Sequence, residues 1–297
     1  MYGSFAQGGG HLYTFRFLIY TIHMFDTHCH LNFKRFKKNA ADVIQNAHDS
    51  GVSLIVIPGT DVNTSAKAIE LAQEHDWLYA AVGIHPHHVY KLLKRDDITV
   101  ESELAQIDEL LKSSKVVAVG EVGMDRHVYE ETVYQEYNVN QAFIGMQRQL
   151  LGSQIDLAIK HKKSLILHNR EARHDILPLL EEKWNSELEG RSVFHCCEPD
   201  EDLLKFAMDH SMYIGVDGDV TYDTDKQHFI KQVPLEMLVI ETDSPYILPE
   251  PLLTEKKYPN EPKNIIYTAE KVAQIKGVSK GQLVEQTTEN GKKLFAL

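Results

Sequence analysis

Cysteine is scarce in this chain. Its three thiols, Cys29, Cys196 and Cys197, are odd in number and two of them are adjacent. They cannot form a disulfide framework, which points to a reducing, cytoplasmic setting. No apolar run reaches the roughly 18 to 20 residues that a membrane span needs, so no membrane is expected as a partner. Excess positive charge is also missing, the formal net charge being −12. A protein that held nucleic acid by bulk attraction would be basic. Either the partner is not a polyanion or a cleft is locally positive, and bound divalent ions could supply that local charge. A Gly-rich phosphate loop is absent after the first apolar segment, where HLNFKRF stands instead. This counts against an open, doubly wound nucleotide-binding sheet.

What is present is enough for one large domain. The chain has 297 residues, 43% of them apolar, so it can bury a sizeable core. Residues 1–23 read apart from the rest. MYGSFAQGGG is loop-like, and LYTFRFLIYTI lacks the basic start and the small-residue cleavage site of a signal peptide. They are read as an upstream extension or cloning scar before a natural start at Met24. From there on, eight short apolar segments alternate with stretches of helical period: 24–30, 52–59, 77–86, 115–123, 163–169, 192–196, 212–218 and 236–243. Several are continuously apolar, as parallel strands buried on both faces are. Eight strands each followed by helical sequence predict a single α/β domain over 24–297, a (β/α)₈ TIM barrel. The stretch TSAKAIELAQEHD, for example, predicts a helix capped by Thr64 or Ser65.

Candidate ligands fall at the carboxyl ends of these segments. FDTHCHLNF (25–33) sets His28 and His30 two apart beside Asp26. Residues two apart on a strand face the same way, so both imidazoles would converge, with Cys29 turned to the other side. Two neutral imidazoles aimed at one point suit a divalent metal; the competing reading is a pair of locally hydrogen-bonded histidines. Glu121 (VGEVG), His168 (LILHN), His195 (SVFHC) and Asp243 (VIETD) end four further segments. Each alone could be a cap or a loop residue. A carboxylate straight after VAV or LVI is costly to bury, however, unless it is paired or bound to metal.

Together the six predict a metal-dependent hydrolase. His28, His30, Glu121 and Asp243 would hold one ion. Glu121, His168 and His195 would hold a second, with Glu121 bridging. Two such ions suit phosphoester hydrolysis, and Asp243 is placed to take the proton of the attacking water. A single ion is the alternative. His85, in GIHPHH, is read as a substrate-phosphate contact or proton donor, against a structural role. Arg170, in HNREA, either binds a phosphate or pairs with an acid. His87, His88, His127, His161, His174, His210 and His228 are read as surface residues.

In order, FDTHCHL, VGIHPH, VGEVGMD, LHNREA, VFHC, ETDSPY and NEP (260–262) resemble the TatD family of metal-dependent deoxyribonucleases from about Met24 to the C-terminus. The resemblance implies a barrel of the amidohydrolase type. It also implies exonuclease or endonuclease activity on DNA, with single-stranded DNA as the expected partner, supported by Mg²⁺, Mn²⁺ or Zn²⁺. The family's ligand roles carry over onto His28, His30, Glu121, His168, His195 and Asp243. No obligate protein partner is implied, and a monomer is the default. Two departures bear on substrate preference. Arg126 stands where the family has an aromatic, and CEPD (197–200) replaces an aromatic, a small residue and Gly. The segment 126–163 also looks long. Its Phe143, Met146, Leu150, Ile155 and Ile159 share one helical face, predicting an extra helix outside the barrel that partly lids the mouth.

Other functions remain in competition. The same water could attack aminoacyl-tRNA or another small ester. A non-catalytic scaffold predicts missing ligands, and none is missing. A Lys-carbamate amidohydrolase wants a Lys where Glu121 stands.

Overall fold

The computed structural model describes residues 23–297 except 95, 96, 98, 131 and 133–136. The expectation of a separate extension over 1–23 therefore lies, apart from His23, outside the described residues. The strands are β1 (Met24–Asp26), β2 (Val52–Pro58), β3 (Leu78–Val82), β4 (Val116–Asp125), β5 (Ser164–Arg170), β6 (Ser192–Phe194), β7 (Tyr213–Val216) and β8 (Leu238–Ile240). They form one parallel sheet in chain order. Around it lie α1 (Ala40–Asp49), α2 (Val62–Glu74), α3 (Val89–Lys94), α4 (Val100–Leu110), α5 (Gln141–His161), α6 (Arg173–Lys183), α7 (Glu201–Asp209), α8 (Thr224–Gln232), α9 (Ile265–Lys276) and α10 (Lys280–Phe295). All eight strands coincide with apolar segments of the sequence. Among the described residues, no helix is long and apolar enough to cross a membrane.

The sheet is rolled into a nearly closed (β/α)₈ barrel. Its seam, between β1 and β8, closes just beyond the strand ends. Thr27 N–H donates to Ile240 O (3.2 Å), Asp243 N–H to His28 O (2.9 Å) and His30 N–H to Ser244 O (2.7 Å). Asp26, fully buried, accepts from Thr242 N–H (3.0 Å) and Thr242 Oγ1–H (2.6 Å), sewing the same seam. The strands are apolar on both faces because both are covered. Phe25, Val56, Ala81, Ile166, Val193, Tyr213 and Val239 fill the interior. The alternate residues, such as Ile55, Leu165, Leu167, Ile214 and Ile240, join the outer layer with helix residues Ile44, Ala68 and Ile155.

The amino end of the barrel is plugged by α10. Phe295 packs on Phe25 with ring centroids 5.8 Å apart. A Cβ at Gly291 would lie 2.6 Å from the Phe25 ring, so only glycine lets this helix approach so closely. Burying one such Phe stabilises the fold by roughly 1.5–3 kcal/mol.

Three expectations need correction. The cap of α2 is Asp61, whose Oδ1 accepts Thr64 N–H (2.9 Å) while Asp61 N–H donates to Thr64 Oγ1 (2.9 Å). Thr64 is thus the third residue of a capping box that starts earlier in the chain. The helix expected outside the barrel is α5, the crossover between β4 and β5 itself. It contributes two buried glutamines, seven residues apart on one face. Gln147 pairs with the backbone N–H and C=O of Asp125 (both 2.9 Å), and Gln154 with those of Ile84 (2.7 and 3.1 Å). These amides hold the carboxyl ends of β4 and β3 where the site is built. Finally, β1 stops at Asp26. His28 and His30 lie past it, flanking Cys29, which bridges to Ser244.

Candidate active site

All six expected ligands meet at the carboxyl mouth of the barrel. Glu121 is central and divides its two oxygens. Oε2 lies 3.4 Å from both His28 Nε2 and His30 Nε2. Oε1 lies 2.9 Å from His168 Nδ1 and 2.8 Å from His195 Nε2. Asp243 joins the first pair, its Oδ1 3.4 Å from His30 Nε2 and 3.7 Å from His28 Nε2. Two clusters result, His28–His30–Asp243 and Glu121–His168–His195, each with donor atoms within 4.8 Å of one another. Alternation carries much of this geometry. On β5 the interior residue is Ile166, so His168 points inward too; past β6, His195 continues the inward set of Val193.

The backbone is shaped for the site. A Cβ on Gly123 would meet the His168 carbonyl at 1.9 Å, so glycine is what lets β4 and β5 close together beside Glu121. Asp243 (φ 48°) and Cys196 (φ 42°) both hold left-handed conformations, which cost a non-glycine residue about 1–2 kcal/mol each.

A layer behind the ligands was not anticipated. Asp125 Oδ2 sits 3.1 Å from His168 Nε2, holding that ring so that Nδ1 faces Glu121. Glu241 is buried; its Oε1 accepts Cys196 N–H (2.5 Å) and lies 3.8 Å from His195 Nδ1. Asp217, Asp219 and Glu198 also line the cavity of about 720 Å³ that opens over the candidate ligands. The buried Lys226 ammonium donates to Cys197 O (2.8 Å) and pairs with Asp219 (3.2 Å).

The charge states follow from this crowding. Burial pushes Glu121 up, but His85, His195 and His168 together hold it well below the usual carboxylate range. Burial opposes charge on His30, yet hydrogen bonds to Asp243 and Glu121 raise it to about 9. His168 rises to about 10 against burial, through Asp125 and Glu121. His28, buried and stacked face to face on His195 at 3.9 Å, falls to about 4. Burial lifts Asp26 to about 8 and Glu241 to about 7. Left alone, the carboxylates draw protons onto neighbouring imidazoles, and a divalent cation would take the place of those protons.

His85 Nδ1 accepts His87 N–H (3.1 Å), so the neutral ring carries its proton on Nε2, 3.2 Å from Glu121 Oε1. Arg170 is exposed at the mouth. Its guanidinium lies over the Tyr129 ring at 5.1 Å, and Nη1–H donates to Tyr129 Oη (3.3 Å). Arg126, one of the two departures, turns away from the cavity and grips Asp175 of α6 with two bonds (2.5 and 2.7 Å). In the other, Glu198 accepts Asn169 Nδ2–H (2.7 Å) and Glu171 N–H (3.0 Å) on the cavity wall. His87 and His88 are not surface residues. His87 stacks on Tyr137 (4.8 Å) and contacts Thr132 Oγ1 (2.9 Å), and His88 reaches Thr60 Oγ1 (3.2 Å). His87 also meets the edge of the Tyr129 ring (5.0 Å).

A parallel barrel with histidines and carboxylates clustered at its carboxyl rim defines a metal-dependent hydrolase. A profile of the TatD related DNase family matches residues 25–296, and the chain belongs to that family. It is 33% identical to the "uncharacterized metal-dependent hydrolase YabD" of Bacillus subtilis over 92% of this chain and 99% of the relative. It is 29% identical to the "3′-5′ ssDNA/RNA exonuclease TatD" of Escherichia coli K12, again over 92% and 99%. Among solved structures, the TatD homologue YjjV of Escherichia coli K12 superposes with a TM-score of 0.78 at 26% identity, covering 93% of this chain and 99% of that one. A TatD-family hydrolase from Entamoeba histolytica shares the fold, with a TM-score of 0.76 at 24% identity over 92% and 98%. The protein is thus an enzyme of the metal-dependent nuclease class, with His, Glu and Asp clusters able to bind metal.

Proposed function

We propose that this domain hydrolyses phosphodiester bonds of single-stranded DNA with two divalent ions, Mg²⁺, Mn²⁺ or Zn²⁺, which Glu121 would help to hold. The observation that carries the reading is the division of Glu121, one oxygen toward His28 and His30 and the other toward His168 and His195. The donor set fits: imidazoles and carboxylates suit such ions, and Asp125 orients a ligand histidine from behind. His28, His30, Glu121 and Asp243 would hold one ion; Glu121, His168 and His195 the other. Ions there would polarise a phosphoryl oxygen and lower the pKa of water.

The chain's own groups do the rest. Asp243, on the cavity wall beside His30, accepts the proton of the attacking water at Oδ1. His85 offers its Nε2 proton to the phosphoryl group. Arg170, pre-positioned on Tyr129, binds the phosphate beside the scissile bond. The free thiols of Cys29, Cys196 and Cys197 fit work in a reducing cytoplasm, and a monomer suffices, since every group named comes from one chain.

The test is a metal-depletion and substrate panel. Purified protein stripped with EDTA should lose cleavage of end-labelled single-stranded DNA and regain it with Mg²⁺, Mn²⁺ or Zn²⁺. Charged tRNA belongs in the same panel. Deacylation of that tRNA without cleavage of DNA would replace this reading with an esterase.

A further inference from the structure

The molecule is acidic, with 31 Lys and Arg against 43 Asp and Glu, yet one stretch of the mouth carries no acid at all. From Thr27 to Ala41 the chain holds Lys34, Arg35, Lys37 and Lys38 and neither Asp nor Glu. This is the loop from β1 to α1, on the carboxyl face of the barrel. All four side chains are exposed, whereas Phe36 between them is fully buried and pins the loop down. Among the described residues, none of the four forms an ion pair. Directly before them, Phe33 lines the cavity; its ring stacks on His30 at 4.2 Å and meets the edge of Tyr246 at 6.2 Å. Tyr246 is 53% exposed. Across the seam, the loop after β8 adds exposed Lys256 and Lys257 and the exposed ring of Tyr258. The two loops are neighbours, because α1 packs on the turn Pro262–Asn264. The loop after β7, which packs against the loop after β8, brings Asp217 and Asp219 to the same cavity, and Glu198 lines it after β6.

A chain of phosphates leaving this cavity therefore meets unpaired cations along the β1–α1 loop and carboxylates at Glu198, Asp217 and Asp219. Exposed aromatic faces bordering a cationic groove are the two components of a single-strand binding track. We propose that the β1–α1 loop, with Lys34, Arg35, Lys37 and Lys38 beyond a Phe33–Tyr246 stacking platform, is an extended binding site for single-stranded DNA. The strand leaves the cavity over the β1–β8 seam, and its phosphates lie along the four cations. The net charge of −12 then poses no obstacle, since attraction is local to this rim. This rests on the nuclease reading for the direction of the strand, but the cationic track itself can be tested without catalysis.

The experiment measures binding of fluorescein-labelled dT₂, dT₆ and dT₂₀ by anisotropy in EDTA, for the full chain and for K34E/R35E/K37E/K38E. The variant's fold is checked by circular dichroism and melting. Wild type should bind dT₂₀ well above dT₂. Each phosphate contact in a single strand contributes about 0.7 to the slope of log K against log salt. The variant should therefore lose tens-fold affinity for dT₂₀, and its salt slope should fall by about 2 to 3. Binding of dT₂ should change less than threefold, as should metal-loaded turnover of bis(p-nitrophenyl) phosphate, which is too short to reach the loop. Unchanged dT₂₀ affinity and salt slope would overturn the track. So would a charge-dependent attachment to phosphatidylserine vesicles with no DNA binding, which would reassign the patch to a membrane surface. A wild type that binds dT₂₀ through the loop but cleaves no phosphodiester under any metal would leave the track standing and sink the nuclease reading instead.

Discussion

The two ends of the same eight strands obey opposite rules. At the amino end, Phe25, Tyr213, Val239, Leu294 and Phe295 fill the barrel with apolar side chains, and α10 seals it. At the carboxyl end, two to four residues beyond the interior Ile166, Val193, Tyr213 and Val239, the inward positions become His168, His195, Asp217 and Glu241. The first end gains free energy by excluding water. The second holds buried carboxylates and imidazoles that repel or compete unless a cation joins them. One end therefore supplies stability and the other reactivity, and substitutions at the two ends should separate the two properties.

The largest effect should come from Glu121→Ala or Asp243→Asn. Each should reduce turnover on single-stranded DNA by on the order of 10³-fold or more, about 4 kcal/mol of transition-state stabilisation. The melting curve should show the barrel still folded. Wild-type rates from either variant would remove the assigned role. At the opposite end, Phe295→Ala should cost about 3–5 kcal/mol of stability by opening a cavity against Phe25, while kcat at a permissive temperature stays within about twofold. A stable but inactive Phe295→Ala would show that the two ends are not separable.

Between these extremes lies Asp125→Asn, which should weaken metal binding about 10- to 100-fold by freeing the His168 ring. Calorimetric metal titration checks it, and a variant that binds metal like wild type would assign Asp125 to packing alone. The pH dependence sharpens the same contrast. In the metal-free protein, His30 and His168 sit at about 9 and about 10, above an ordinary imidazole. Their raised values stabilise the metal-free fold below about pH 6.5, and that contribution is lost as pH rises through 9 to 10. Metal must displace these protons, so its affinity should grow over the same range. The gap in Tm between metal-loaded and metal-free protein should widen from pH 6.5 to 9; a constant gap would contradict the assigned charge states. The smallest effect belongs to Arg126→Ala. Its half-exposed pair with Asp175 should contribute no more than about 1 kcal/mol, with activity unchanged. A large loss of activity would return Arg126 to the substrate path.

The fold was largely legible because a two-sided parallel barrel writes a plain code: eight apolar runs, each followed by a helical period. The six candidate ligands were legible because a polar residue at the end of such a run is expensive. The layer behind them was harder to see, for distinct reasons. Asp217 and Glu241 continue the inward alternation of Tyr213 and Val239, so their orientation was present in the sequence; their burial, decided by how tightly the seam closes, was not. Asp125 lies four residues past Glu121 on a strand longer than the apolar run suggested. The roles of Gln147 and Gln154 depend on which way α5 crosses the barrel, and an apolar-face argument registers only their neighbours. His28 and His30 converge as alternation predicted, although β1 ends before them; the seam's hydrogen bonds to Asp243 and Ser244 hold them instead.

The central claim is that Glu121 joins two metal positions, and titration of metal-free protein with Mn²⁺ followed by electron paramagnetic resonance tests it most directly. The account predicts two ions per chain in wild type with the spectrum of a coupled pair, and loss of that coupling in Glu121→Ala. A wild-type chain that binds no Mn²⁺, or a Glu121→Ala chain with an unchanged coupled spectrum, would contradict it.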